Sequence, residues 1–310
     1  MSTNKYAQGA AEHAAPQHRL PAWLRLLRPH QWLKNGFVLI GLLFAHAWDQ
    51  PNLVLKAIAA TTAFCLLSSA VYVFNDLIDR EQDRLHPQKR YRPLASGTIG
   101  APAALALLVV CLIFACDIVV RVVGHAYWVF LAYLCVNVAY TLKLKHVVIL
   151  DAFLIAAGFM LRLFAGTVAI GIPPSQWLII CGLMLTLFLG FAKRRAELNA
   201  MYTDAGAHMH RRVLEHYSPA LLDQFITITV ACTVLSYSLY TVSDNTIALH
   251  GRHLWITMPF VLYGMFRYLY LLHRRGGGGD AAEAFFTDRH LQVTVLGWLT
   301  CIVALLEGAV

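Results

Sequence analysis

The 310-residue chain is 58% hydrophobic and only 14% charged, against roughly 45–50% and about 25% in soluble domains. A soluble globule of this length could not hide so much apolar surface, and a mean hydropathy of +0.58 agrees. These values exclude a cytosolic enzyme, a nucleic-acid-binding protein and a disordered scaffold, so the net charge of +8 reads as membrane topology.

Residues 1–19 are polar and lack the apolar core of a signal peptide; they are expected to form a disordered cytoplasmic tail. Residues 20–310 are expected to form one all-α, polytopic transmembrane helical bundle. Residues 20–34 mix Leu, Trp, Arg and Lys as an interfacial amphipathic helix does. A bilayer core needs about 20 apolar residues per helix. On that basis nine spans are predicted, near 36–48, 53–76, 101–122, 126–142, 147–171, 175–192, 220–241, 253–273 and 291–309, with boundaries good to about four residues. The seven cysteines fall inside these spans without a C-x-x-C pair, and read as small apolar residues.

Lys and Arg alternate between the two sides. One set of loops carries Arg25, Arg28 and Lys34, then Arg80 to Arg92, Lys143 and Lys145, Lys193 to Arg195 with Arg211 and Arg212, and finally Arg274, Arg275 and Arg289. The opposite loops hold little besides Lys56, Arg121 and Arg252. The positive-inside rule puts the first set, and the N-terminus, in the cytoplasm. Loops 77–100 and 193–219 are long, so function is expected on that face. Gly276 to Gly279 read as a hinge.

The most informative stretch is NDLIDREQDRLHPQKRYRPLASG, from Asn75 to Gly97. Asn75, Asp79 and Asp83 recur at i, i+4 and i+8, one face of a continuing helix. A lone aspartate there would be a solvated helix end. Three aligned oxygen donors are costly near a bilayer and suit Mg²⁺, which takes one or two carboxylates and completes its shell with water and phosphate. Asp76 falls off that face. Pro87 ends the helix. Lys89, Arg90 and Arg92 follow, a cluster that binds phosphate by charge-assisted hydrogen bonds. The pattern fits a magnesium diphosphate, with Asp79 and Asp83 as the catalytic carboxylates.

A second cytoplasmic stretch, YTLKLKHVVILDAFLIAAGFMLR, carries Tyr140, Lys143, Lys145, His146, Asp151 and Arg162. An arginine inside an apolar run marks a functional site by default, so Arg162 is expected to face a polar cavity and contact phosphate. Lys193, Arg194 and Arg195 read equally as binding residues or as a membrane-surface patch. The histidines form no metal-binding pair.

Nine spans with N-x-x-x-D-x-x-x-D closing the second resemble the UbiA superfamily of intramembrane prenyltransferases. The runs RPHQWLKN, HPQKRYRP, LKHVVILD and GFAKRRAEL are similar to the branch that transfers phosphoribosyl groups to decaprenyl phosphate, over residues 23–308. That resemblance implies a helical bundle in a bacterial-type plasma membrane, with a polar cavity at the cytoplasmic face. It implies 5-phosphoribosyl diphosphate as donor, a polyprenyl phosphate as acceptor and Mg²⁺ held by Asn75, Asp79 and Asp83. Lys34, Lys89, Arg90, Arg92, Tyr140, Lys143 and Arg162 would contact the phosphates, with Asp151 as the second-motif residue at the substrate. Aromatic prenyltransferases of the superfamily usually carry paired aspartates in that second motif, where this chain offers only Asp151; this argues against a two-metal site. Two alternatives remain: an aromatic prenyltransferase using a prenyl diphosphate donor, and a non-catalytic lipid transporter. The sequence reports no subunit interface, so a homo-oligomer is compatible with it.

Overall fold

The computed structural model describes residues 20–85, 89–203, 212–274 and 281–308. The expected tail 1–19, His86 and Pro87, Arg211, Arg275 and the glycine run 276–279 lie outside the described residues. Every regular element among the described residues is helical. That is the economical solution in hydrocarbon, where backbone groups must bond within their own segment.

The chain enters through α1 (Ala22–Leu27), with the apolar side chains of Leu20 before it and Trp23 in its first turn exposed, as an interfacial segment requires. Arg28 ends it in a left-handed conformation (φ 53, ψ 59). A 3-10 segment, Pro29–Leu39, leads into α2 (Ile40–Phe44). The predicted first span is therefore the end of a 3-10 segment plus a five-residue helix, not one continuous α-helix.

α3 (Pro51–Ile78) is the long central helix, with proline in its first turn, where the missing N–H costs nothing. Its buried face holds Ala57, Ala60, Ala63, Ser68, Ser69 and Ala70, small residues that let neighbouring helices approach. α4 (Arg80–Leu85) resumes after a break at Asp79.

α5 (Ala101–Ile118) and α6 (Tyr127–Leu142) lie in one helical segment of 42 residues, but they form a hairpin. Ala104 packs with Val73 near the end of α3, and Val119 and Val123 join the cluster of Ala60 and Ala63 nearer its start. The chain reverses at Gly124, whose φ of 61 a side chain would resist. α6 then returns past Phe64, with Phe130 and Tyr133 at 4.8 and 4.9 Å between ring centroids. It ends where Thr141 bonds Asn75.

α7 (Leu150–Ile170) is shared by two cores. Ala165 and Ala169 belong to the one around Phe64. Ala152 and Ala156 belong to a second around Phe188, Leu222 and Ile226. At Gly166 the backbone of α7 meets the 3-10 segment so closely that a Cβ would stand 1.8 Å from the Val38 carbonyl oxygen. α8 (Gln176–Thr203) and α9 (Pro219–Val242), N-capped by Ser218, build the second core. α10 (Asp244–His250), α11 (Met258–Arg274), α12 (Ala281–Thr287) and α13 (Arg289–Glu307), capped by Asp288, complete the chain.

Six described segments are long and apolar enough to cross a bilayer: α3, the 101–142 hairpin, α7, α8 as far as Asn199, α9 and α13. They make the chain an integral membrane protein. The predicted spans 36–48 and 253–273 fall outside this set. The second is split into a 3-10 turn, Leu254–Thr257, and the 17-residue α11, which carries Arg267 paired to Asp288 at 2.7 Å. All seven cysteines are unpaired.

Candidate active site

The acidic stretch keeps its alignment across the break in the helix. The Asp79 amide bonds the Asn75 carbonyl at 2.9 Å and the Asp83 amide bonds that of Asp79 at 2.8 Å, so the i, i+4, i+8 spacing survives. Asp76, Asp79 and Asp83 each have a cation from another segment. Lys145 Nζ donates to Asp79 Oδ1 at 2.8 Å. Arg92 Nη1 donates both to Asp83 Oδ2 at 2.6 Å and to Asp76 Oδ1 at 3.1 Å. Arg28 Nη2 reaches the same Asp76 oxygen at 2.5 Å and its guanidinium lies over the Tyr72 ring. Asn75 Oδ1 accepts from Thr141. The left-handed turn at Arg28 is what aims that side chain at α3. Burial raises the Asp83 pKa above its ordinary value; Arg92 opposes this and the charge of Asp76 adds to it.

The basic loop is pinned from below. Leu94 is fully buried beside Val73, and Arg80 and Arg84 donate to the carbonyls of Leu94 and Ala95. This fixes Arg92 over the acids. Arg90 turns outward, onto the Tyr91 ring and hydroxyl, and Lys89 is half-buried.

The second stretch divides. Lys145 is buried against Asp79 while Lys143, two residues earlier, is exposed. Asp151 and Arg194 are both fully buried and meet at 2.5 Å. Arg194 also bonds Glu197 and donates to the Tyr140 hydroxyl at 2.9 Å. The Tyr217 hydroxyl donates to the other Asp151 oxygen at 2.8 Å. Asp151 and Tyr140 thus belong to a protein network around Arg194. Lys193 lies within electrostatic reach of Lys34, Tyr140, Glu197 and Arg194, which brings Lys34 to the same end of the bundle.

Arg162 is not brought to the acids. Its Nε donates to Asn35 Oδ1 at 2.8 Å, Nη1 to the Gly158 carbonyl at 2.7 Å and Nη2 to the Tyr133 hydroxyl at 2.9 Å. Phe64, Tyr133 and Phe159 surround the guanidinium. Asn35 in turn bonds Ser68, which precedes Asp79 by about 16 Å of helix at 1.5 Å per residue. The phosphate contact expected of Arg162 is met here by protein acceptors instead.

The donor chemistry suits Mg²⁺: hard oxygens from Asn75, Asp76, Asp79 and Asp83 within about two helical turns. Among the described residues no group of three or more His, Cys, Asp or Glu could hold a metal ion unaided. The rest of a magnesium shell would come from Asn75, water and substrate phosphate. Sequence reading set Asp76 aside as off the metal face, counted Arg28 only towards topology, named Lys145 and Arg194 without their partners, and missed Tyr217. Asp76 is the most telling: it faces away from the i+4 row, and its partners are 48 and 16 residues distant.

The chain is 33% identical over 295 residues to a decaprenyl-phosphate phosphoribosyltransferase from Corynebacterium glutamicum, covering 93% of this chain and 87% of that one. It is 31% identical to a protein of the same name from Mycolicibacterium smegmatis, covering 97% and 98%. The fold matches a UbiA homolog from Archaeoglobus fulgidus bound to GPP and Mg²⁺, with a TM-score of 0.69 at 15% identity, over 93% of this chain and all of that one. Residues 36–289 match the model of the UbiA prenyltransferase family, and the chain belongs to that family.

Proposed function

We propose that the protein transfers the 5-phosphoribosyl group of 5-phosphoribosyl diphosphate to a polyprenyl phosphate in the membrane, releasing diphosphate. The observation that carries the reading is the meeting of Asp76, Asp79 and Asp83 with cations from three segments, Arg28, Arg92 and Lys145. The shared name of relatives that align along nearly the whole chain supports it.

Asn75, Asp79 and Asp83 would hold Mg²⁺, with Asp76 beside them. The ion, when bound, supplies positive charge to the diphosphate. Arg92 and Lys145 exchange carboxylate oxygens for diphosphate oxygens and stabilise the charge that develops as the donor's C1–oxygen bond breaks. An oxygen of the polyprenyl phosphate forms the new C1–oxygen bond, and the diphosphate leaves with the electron pair. A phosphate monoester is already anionic near neutral pH, so no strong base is required. Lys34 and Lys193 suit the acceptor phosphate, while Lys89, Arg90 and Lys143 draw anions to the site mouth. Asp151 and Tyr140 act through the Arg194 network, and Arg162 acts in packing.

In this reading residues 20–310 form one domain in a bacterial-type plasma membrane. The chain crosses nine times with its N-terminus inside, and the two short segments, 36–48 and 253–273, complete the count. The site opens to the cytoplasm.

The test is turnover by detergent-purified protein with radiolabelled 5-phosphoribosyl diphosphate, a short polyprenyl phosphate, and magnesium or chelator. Magnesium-dependent label in the lipid phase, lost in Asp79→Ala, is the expected result. No label, with prenyl transfer to an aromatic acid in a parallel reaction, would assign the protein to the aromatic branch. Silence in both would favour a lipid transporter.

A further inference from the structure

Between α6 and α7 the backbone does something costly. Ile149 sits at φ 68, ψ −49, and the Leu150 amide bonds the Val148 carbonyl across it at 2.8 Å. This is a γ-turn of the rare, strained kind, at a β-branched residue for which positive φ is least tolerated. Such a conformation persists only where its surroundings over-determine it.

The holding contact comes from far along the chain. The Ile149 amide donates to the Tyr217 hydroxyl at 2.6 Å, and that hydroxyl donates to Asp151 at 2.8 Å. Asp151 is fixed by Arg194, and Arg194 by Tyr140 and Glu197. Tyr217 is itself held in place. Its ring packs with Leu214, Leu222 and Ile226, and the next residue, Ser218, caps α9. Burial and the neighbouring Asp151 push its pKa upward, so the phenol stays protonated and keeps donating.

The turn lies four residues after Lys145. A short hydrogen-bonded run joins them: His146 to Lys143, Val147 to Leu144, and Asp151 to Val147. Relaxing Ile149 to negative φ would swing this run, and Lys145 with it, relative to α7. We propose that Tyr217 is a positioning residue for the donor site. Its hydroxyl locks the strained turn at Ile149 and so holds Lys145 against Asp79. The identity of the donor rests on the phosphoribosyl-transfer reading; the lock itself does not.

Tyr217→Phe in the full-length protein keeps the ring in its core and removes both hydroxyl bonds. The Michaelis constant for 5-phosphoribosyl diphosphate should rise about tenfold, with that for polyprenyl phosphate within about twofold of wild type, the scale of one or two lost hydrogen bonds at one substrate's site. Amide exchange over residues 144–150 should quicken. Glycine adopts positive φ without penalty, so adding Ile149→Gly should return the donor constant towards wild type. A packing role would instead raise both constants together and resist rescue by glycine. Either of those results, or unchanged exchange over 144–150, overturns the lock. If the wild type fails to use the donor at all, the functional reading falls, and the exchange comparison still decides the lock.

Discussion

Arg162 and Arg92 both lie beside α3, against Phe64 and Asp76, and they are held in opposite ways. Arg162 donates from all three nitrogens to an amide oxygen, a carbonyl and a phenol, all neutral, inside a ring of aromatic side chains. Arg92, about three turns further along the helix, bridges two carboxylates and keeps a partly exposed side chain. A guanidinium saturated by neutral acceptors has nothing to exchange. One held by carboxylates can trade them for phosphate oxygens of the same charge type when a metal takes the acids. In the proposed reading, the type of partner, more than depth in the membrane, separates structural cations from those that bind substrate.

The sharpest way to break this contrast is at the acids. Asp79→Ala or Asp83→Ala should lower turnover by at least about 10²–10³-fold, the scale of losing charge stabilisation in the transition state, while size-exclusion profiles stay normal. Near-wild-type rates would remove these residues from the site. Next comes Arg162→Ala, expected to cost roughly 3 kcal/mol of stability through the buried groups of Asn35, Gly158 and Tyr133 left without partners. Thermal unfolding in detergent reads the loss, and the surviving protein should keep its donor Michaelis constant. A raised donor constant at unchanged stability would place Arg162 with Arg92 instead.

Lys145 and Lys143 give a narrower test. Lys145→Ala should raise the donor constant about 10–100-fold, the scale of one charged hydrogen bond, and Lys143→Ala no more than about threefold. Equal effects would show that proximity to the loop, not the contact with Asp79, is what counts. The smallest effect is expected at Asp288. Arg267 and the Leu291 amide hold its pKa down to about 2, below the ordinary 3.8. The stabilisation from ionised Asp288 is therefore complete above about pH 4 and fades as the pH falls through 2. Asp288→Asn should lower the melting temperature at pH 6, with the gap to wild type closing on acidification.

Much of this site was legible because it is local. Asn75, Asp79 and Asp83 share a helical period, and Lys89 to Arg92 follow within one loop. What escaped was set by distant packing. Asp76 has the wrong period for the proposed metal face, yet it collects Arg28 and Arg92. Lys143 and Lys145 look alike in sequence, and a 3-10 turn at Leu144–His146 decides which one is buried. Arg194 sits in a basic run that reads equally as binding residues or a surface patch, and only the fold shows it fully enclosed with Asp151. The membrane segments follow the same rule. Long apolar helices declared themselves, whereas the 3-10 character of Pro29–Leu39 depends on the helices it packs against, and composition does not record those.

The contact between Gly166 and the Val38 carbonyl bears on how the chain is built. The segment Pro29–Phe44 leans on α3 and on α7, whose close approach at Gly166 is encoded more than a hundred residues later. During synthesis its final seat does not exist until the ribosome has delivered α7. This stretch thus leaves the ribosome well before the helix it docks on. A bulkier residue at 166 would strike at assembly before it touched chemistry, leaving an N-terminal segment with no place to dock.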